Sequence, residues 1–157
     1  MGDSTDQRRV VARNRRARRD YEIRDTFEAG LVLLGSEVKS LRRGSVDLAD
    51  AHAVYREGEM YLVGLHIAAY EMASHFNHEP RRERKLLLHK RLIERLGVKI
   101  RERGLTAIPL EIYFKQGWAK VELALARGKR RSDRRDVLLA KQQRREIREA
   151  AAERRRR

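Results

Sequence analysis

The segment YEIRDTFEAGLVLLG, starting at Tyr21, constrains the fold more than any other stretch of the chain. Tyr21, Ile23, Phe27, Ala29, Leu31 and Leu33 share one parity, and Glu22, Arg24, Thr26 and Glu28 share the other. Side chains on an extended backbone point alternately to opposite faces, so this pattern is a long strand with one buried face. Asp25 stands on the apolar parity and marks a bulge or an exposed strand start.

The rest of the chain supplies partners for that strand. SEVKSLRRG keeps Leu34, Val38 and Leu41 at helical spacing, with Gly44 where a helix stops. AHAVYREGEMYLVGLHI reads as a hairpin, with one strand ending at Arg56, a turn at Glu57-Gly58 and a second strand from Met60. HFNHEPRRER is a polar loop punctuated by Pro80. After the apolar run Leu86 to Leu88, HKRLIERLGVKIRERG places Leu92, Ile93, Leu96 and Ile100 on one helical face and closes at Gly104. LTAIPLEIYFKQGWAKVELALA is a second hairpin around Gln116-Gly117, and Pro109 belongs at an edge or irregularity because it cannot donate to a ladder. Strands outnumber helices and their links are short. The expected class is mainly β: an OB-like antiparallel β-barrel with two or three short helices and a basic C-terminal tail.

Three regions follow from this. Residues 1–13 are polar and basic and read as a flexible arm, 14–127 as the barrel, and 128–157 as the tail. The tail, GKRRSDRRDVLLAKQQRREIREAAAERRRR, holds 13 Lys and Arg against 5 Asp and Glu, a net +8 of the chain's +15. Its composition favours a helix, yet its apolar residues cluster at Val137 to Leu139 and lapse until Ile147, so no continuous face can dock on a core. An isolated helix of this kind is marginal in water.

An isoelectric point near 10.9 with 39% charged residues calls for a polyanionic partner. Nucleic acid fits better than membrane, because no segment pairs a basic face with a clean apolar one. The absence of Cys excludes disulfides and thiol chemistry. No apolar run approaches the ~18 residues of a membrane span, and the polar start is no signal peptide, so a soluble, cytoplasmic protein is expected.

Catalysis finds little support. The sequence has no GxGxxG, Walker A or GxSxG motif. His75 and His78 in HFNH lack the acidic or Cys neighbours of a metal site, so neither cofactor nor metal is expected. Recognition is better served. Trp118, Lys120 and Glu122 share one face of the last hairpin, and an aromatic beside a cation can hold a base and a phosphate. Trp118 could equally cover a barrel end, and Lys120 could be one solvated Lys among many.

NRRARRDYEIRDTFEAGLVLLGSEVKSLRRG, RKLLLHKR and GKRRSDRR resemble, in order and spacing, the SmpB family, from about Asn14 to Arg135. The resemblance implies an OB-like barrel that binds the tRNA-like domain of transfer-messenger RNA and delivers it to stalled bacterial ribosomes for trans-translation. It implies partnership with that RNA and with the ribosomal decoding centre and messenger channel, and indirectly with alanyl-tRNA synthetase and elongation factor Tu. By position it gives RNA-binding roles to Glu28, Leu87 and Lys120, which Trp118 joins from the hairpin reading. Leu87 has core packing as its alternative, since Leu86 and Leu88 flank it. The resemblance implies a tail that is disordered alone and helical on the ribosome, with Lys129, Asp133, Arg134, Arg135 and Lys141 as its candidate contacts. A general single-strand RNA-binding protein sharing the barrel is the rival reading.

Overall fold

The computed structural model describes residues 8–73, 76–129 and 131–156, with the backbone alone for 131–140. Nine strands and four helices are present among them. In chain order they are β1 (Arg9–Arg13), α1 (Ala17–Asp20), β2 (Tyr21–Leu31), α2 (Gly35–Arg42), β3 (Val46–Asp47), β4 (His52–Arg56) and β5 (Glu59–Val63). β6 (His66–Ile67), β7 (Arg84–Leu87), α3 (Lys90–Arg103), β8 (Thr106–Lys115), β9 (Trp118–Gly128) and α4 (Arg131–Arg156) follow.

One seven-stranded antiparallel sheet has the order β1-β8-β4-β5-β7-β2-β9, and β9 pairs back onto β8. The ladder therefore returns on itself through six strands, with β1 added at the edge of β8. Both expected hairpins form. Glu57-Gly58 and Gln116-Gly117 all have positive φ, the two-residue turn whose twist matches the strands it joins. The core inside the circuit is built from Leu31, Leu41, Met60, Leu62, Leu86, Ile112, Val121 and Leu123, all buried. α2 and α3 pack against it through Leu41 and Ile93.

The two irregularities expected from sequence are both bulges. The β2–β9 register slips between Ile23 and Asp25, and the β8–β9 register slips between Pro109 and Glu111. The first corrects the reading of β2. Because side-chain direction has a period of two, one extra residue at Arg24 turns every earlier side chain to the other face. Phe27, Ala29 and Leu31 stay with the main core, while Tyr21 and Ile23 join a second cluster with Ala17, Ile108, Ala124 and Ala126. α1 covers that cluster by burying Ala17.

Two further segments differ from expectation. Arg9–Arg13, assigned to a flexible arm, is a strand on β8, with Val11 and Ala12 packed on the core; residues 1–7 of that arm lie outside the described residues. The run at Leu86, read only as apolar sequence before a helix, is the end of β7. In the tail, α4 is a single helix whose described side chains, from Lys141 on, are all exposed. No helix among the described residues is long and apolar enough to cross a membrane.

Candidate nucleic-acid interface

The sheet face turned away from the core carries the site, and the turn at Gln116-Gly117 sets its register. A two-residue turn places Lys115 opposite Trp118 and Tyr113 opposite Lys120. β9 in turn pairs Lys120 with Gly30 and Glu122 with Glu28, and β2 pairs Gly30 with Leu87 of β7. Paired residues share a face, so Tyr113, Lys120, Gly30 and Leu87 form one row across four strands.

Glycine gives that row its room. A Cβ on Gly30 would stand 3.1 Å from Cβ of Leu87, tighter than ordinary van der Waals contact, so Leu87 would have to give by a few tenths of an ångström. With hydrogen there instead, a cleft of about 430 Å³ opens between Leu87, Val32, Trp118 and Lys120. Leu87 is 55% exposed and Trp118 72% exposed. Core packing is therefore excluded for Leu87; Leu86 is the inward neighbour, fully buried. Trp118 opens β9 beside the turn and projects outward rather than covering a core.

Next to this row lies a row of three carboxylates, Glu111, Glu122 and Glu28, one from each of β8, β9 and β2. Three like charges on adjacent strands repel, and Arg8 compensates them. Its guanidinium lies 3.4 Å from Glu111, 3.8 Å from Glu122 and 3.9 Å from Glu28, and sits 4.4 Å from the centroid of the Tyr113 ring. Lys115 Nζ approaches Glu28 at 3.6 Å.

The hydroxyl of Tyr113 donates to Glu28 Oε2. That bond is the main reason the Glu28 carboxyl is held below the usual carboxylate range; slight burial works against it, and Lys115, Lys120 and Arg8 add to it. Burial first, and then Glu28, push the Tyr113 hydroxyl well above its ordinary value, so it stays a donor. Glu28 is thus a fixed, ionised acceptor in the row next to an apolar cleft, with Lys115 beside it.

The motif residues around the cleft brace one another. Glu37 on α2 is fully buried and accepts from Arg82 and Arg84, and also from the Leu34 N–H at 2.8 Å. Burial pushes its carboxyl up, but those donors outweigh it and the net direction is down. Arg84, itself fully buried, donates onward to the carbonyls of Leu65 at 2.7 Å and Pro80 at 3.0 Å. His78 is also buried, its ring nitrogens 2.8 Å from Ser36 Oγ and 2.9 Å from the Ile67 carbonyl. It is a structural bracket between α2 and β6. His75 lies outside the described residues.

Glu28, Leu87, Trp118 and Lys120 therefore come together, while the tail residues stand apart. Lys129 is tied to the body: its N–H donates to the Asp20 carbonyl at 2.9 Å and its ammonium to the Arg18 carbonyl at 3.2 Å. Lys141 is exposed on α4, and the side chains of Asp133, Arg134 and Arg135 lie outside the described residues. Sequence reasoning missed Tyr113, Arg8 and Val32. For Tyr113 the signal existed, because counting back from the Gln116-Gly117 turn pairs it with Lys120.

A mainly antiparallel β protein of strong positive charge, with an exposed aromatic, an exposed aliphatic and a cation around one cleft, belongs to the class built to hold nucleic acid. Comparison with known proteins narrows this. The model of the family described as SmpB protein matches residues 11–153. An SsrA-binding protein of Anaeromyxobacter sp. (strain K) is 54% identical over 149 residues, covering 95% of this chain and 91% of that protein. The SsrA-binding protein of Acidothermus cellulolyticus is 55% identical over 147 residues, covering 94% and 92%. A solved structure described as "tmRNA-SmpB: a journey to the center of the bacterial ribosome" superposes with a TM-score of 0.66 at 53% identity, over 81% of this chain and 93% of that one. The chain belongs to the SmpB protein family.

Proposed function

We propose that the protein is an RNA-binding adaptor that holds the tRNA-like domain of transfer-messenger RNA and delivers it to stalled ribosomes for trans-translation. The observation that carries this is the single cleft uniting Leu87, Trp118 and Lys120 beside ionised Glu28, in a chain whose relatives are SsrA-binding proteins. The body, an OB-like barrel to which β1 also belongs, does the binding. Lys120 pairs with a phosphate, Leu87 and Trp118 offer flat apolar surface to an unstacked base or a ribose, and Glu28 accepts from a base amino group or a 2′-hydroxyl. Such a short cleft suits bases displayed at a structured bend better than a continuous single strand.

The tail, residues 128–157, serves the ribosomal step. Its cations, Arg134, Arg135 and Lys141 among them, repel one another in water, and ribosomal RNA phosphates in the decoding centre and messenger channel cancel that repulsion as α4 docks, with Asp133 ordering its neighbouring arginines and Lys129 anchoring the tail to the body. Work in the cytoplasm follows from such a partner, and contact with alanyl-tRNA synthetase and elongation factor Tu is indirect, through the bound RNA. A competition titration tests the reading: labelled transfer-messenger RNA is displaced by unlabelled copies of itself or by bulk tRNA. Preference of tenfold or more for transfer-messenger RNA is expected. Equal displacement by unstructured RNA favours a general single-strand binder instead.

A further inference from the structure

We propose a second RNA-backbone site on the opposite face of the β2–β9 ribbon from the Lys120 cleft, in a groove walled by Arg24, Lys99, Arg103 and Arg127. The bulge at Arg24 creates it. At that end the ribbon continues past the core, with Asp25 opposite Leu125 and Glu22 opposite Arg127; Leu125 is still buried, while Asp25, Glu22 and Arg127 are exposed. The last turns of α3 close the other side, with Lys99 and Arg103 one turn apart. The groove measures about 650 Å³, and Leu125 is among its lining residues.

Its electrostatics set it apart from the rest of a basic surface. On the Lys120 face Arg8, Arg13 and Lys115 each lie within 4 Å of a glutamate, which leaves Lys120 as the cation of the cleft. In the groove, Lys99, Arg103 and Arg127 enter no salt bridge among the described residues. Arg24 has only a loose pair with Glu22, 3.8 Å apart with both side chains about half exposed. The one carboxylate of the lining, Asp25, accepts from the Thr26 N–H at 2.9 Å and offsets only one of the four cations. Four cations against one carboxylate round one concavity leave an excess of positive charge there, which salt screens only beyond ~8 Å. The C-terminal dipole of α3 offsets only about half a charge.

A phosphodiester backbone answers that arrangement. Three of the four cations are arginines, whose planar forks fit phosphate oxygens bidentately, and the open groove admits a strand rather than enclosing a small anion. Together the two faces would grip RNA on both sides of one two-stranded ribbon.

The test is the salt dependence of binding. Wild type is compared with the triple variant Lys99→Gln, Arg103→Gln, Arg127→Gln, and with the charge-keeping control Lys99→Arg, Arg103→Lys, Arg127→Lys. Each is titrated against isolated transfer-messenger RNA and against purified ribosomes. Loss of three phosphate contacts lowers the slope of log affinity on log salt by roughly 2–3. We expect that fall in one arm, with at least a tenfold loss of affinity at about 50 mM salt and a wild-type slope for the control. The arm that responds identifies the RNA, and the slope counts phosphates whichever RNA the cleft prefers. Unchanged slopes in both arms, a loss that the control shares, or equal displacement of RNA by polyglutamate would overturn the proposal.

Discussion

Tyr113 on β8 donates its hydroxyl proton to Glu28 on β2, a bond spanning 85 positions of sequence and crossing over β9, which lies between the two strands. It fixes the direction of a carboxylate in the row next to the cleft and favours its ionised form. Glu28 has a lowered pKa in the fold, so its contribution to stability is complete above the ordinary carboxylate range and is lost as pH falls through the lowered value. Tyr113→Phe removes the donor. Carbon-detected NMR titration should show the Glu28 midpoint rising toward the usual carboxylate range, and affinity for transfer-messenger RNA should fall about two- to tenfold, the worth of one net hydrogen bond. An unmoved midpoint would mean that Lys115, Lys120 and Arg8 hold Glu28 without the tyrosine.

Glu37→Gln should be severe. It keeps the shape of the side chain but strips the charge that compensates Arg84, leaving a buried guanidinium without its anion. Breaking such a pair costs about 3–5 kcal/mol, a large share of a small domain's stability. Urea unfolding should show a markedly lower midpoint with a similar slope. Because the Glu37 carboxyl also sits below its usual range, the wild-type pair survives mild acid and is lost only as pH falls below the ordinary carboxylate range.

Leu87 and Gly30 separate contact from packing. Leu87→Ala removes an exposed side chain, so the melting temperature should change little while RNA affinity falls. Gly30→Ala brings a Cβ to 3.1 Å from that of Leu87, which must give by a few tenths of an ångström, and narrows the cleft between them. That variant should weaken RNA affinity less than Leu87→Ala does, with Leu87 chemically intact. If Leu87→Ala instead lowers the melting temperature as a core truncation does, by roughly 2–5 kcal/mol in stability, the exposed placement is wrong.

Much of this architecture was legible in the sequence because its signals are local. Glu57-Gly58 and Gln116-Gly117 announce their turns, Gly104 ends α3, and Asp25 and Pro109 break patterns where the register slips. What escaped depends on contacts distant in sequence. β7 is four residues long and alternates too briefly to be told from the apolar run beside it. β1 contributes only Val11 and Ala12 to the core, so its strand character comes from pairing with β8. The Arg24 bulge was signalled by Asp25, but that it sends Tyr21 and Ile23 to a second cluster required knowing that α1 would cover them. Of the site, Lys120 and Trp118 were visible by parity, whereas the partners of Glu28 come from strands that meet only in the fold.

Removing α4 should split the two roles. Ending the chain after Lys129, which the carbonyls of Arg18 and Asp20 hold to the body, leaves every described body contact in place. Affinity for transfer-messenger RNA should stay within about threefold of wild type, the modest loss reflecting fewer long-range charges. Peptide tagging on stalled ribosomes in a reconstituted system should cease. Persistence of tagging would reduce α4 to an electrostatic anchor.

The central claim is that the cleft beside Glu28 is where transfer-messenger RNA is held, and a mobility-shift titration of Lys120→Ala at moderate salt tests it most directly. The side chain lies on the face away from the core, so circular dichroism should show an unchanged fold. One charge-assisted contact is worth about 1.5–3 kcal/mol, so binding should weaken tenfold or more. A folded Lys120→Ala protein that binds transfer-messenger RNA with wild-type affinity would contradict the account.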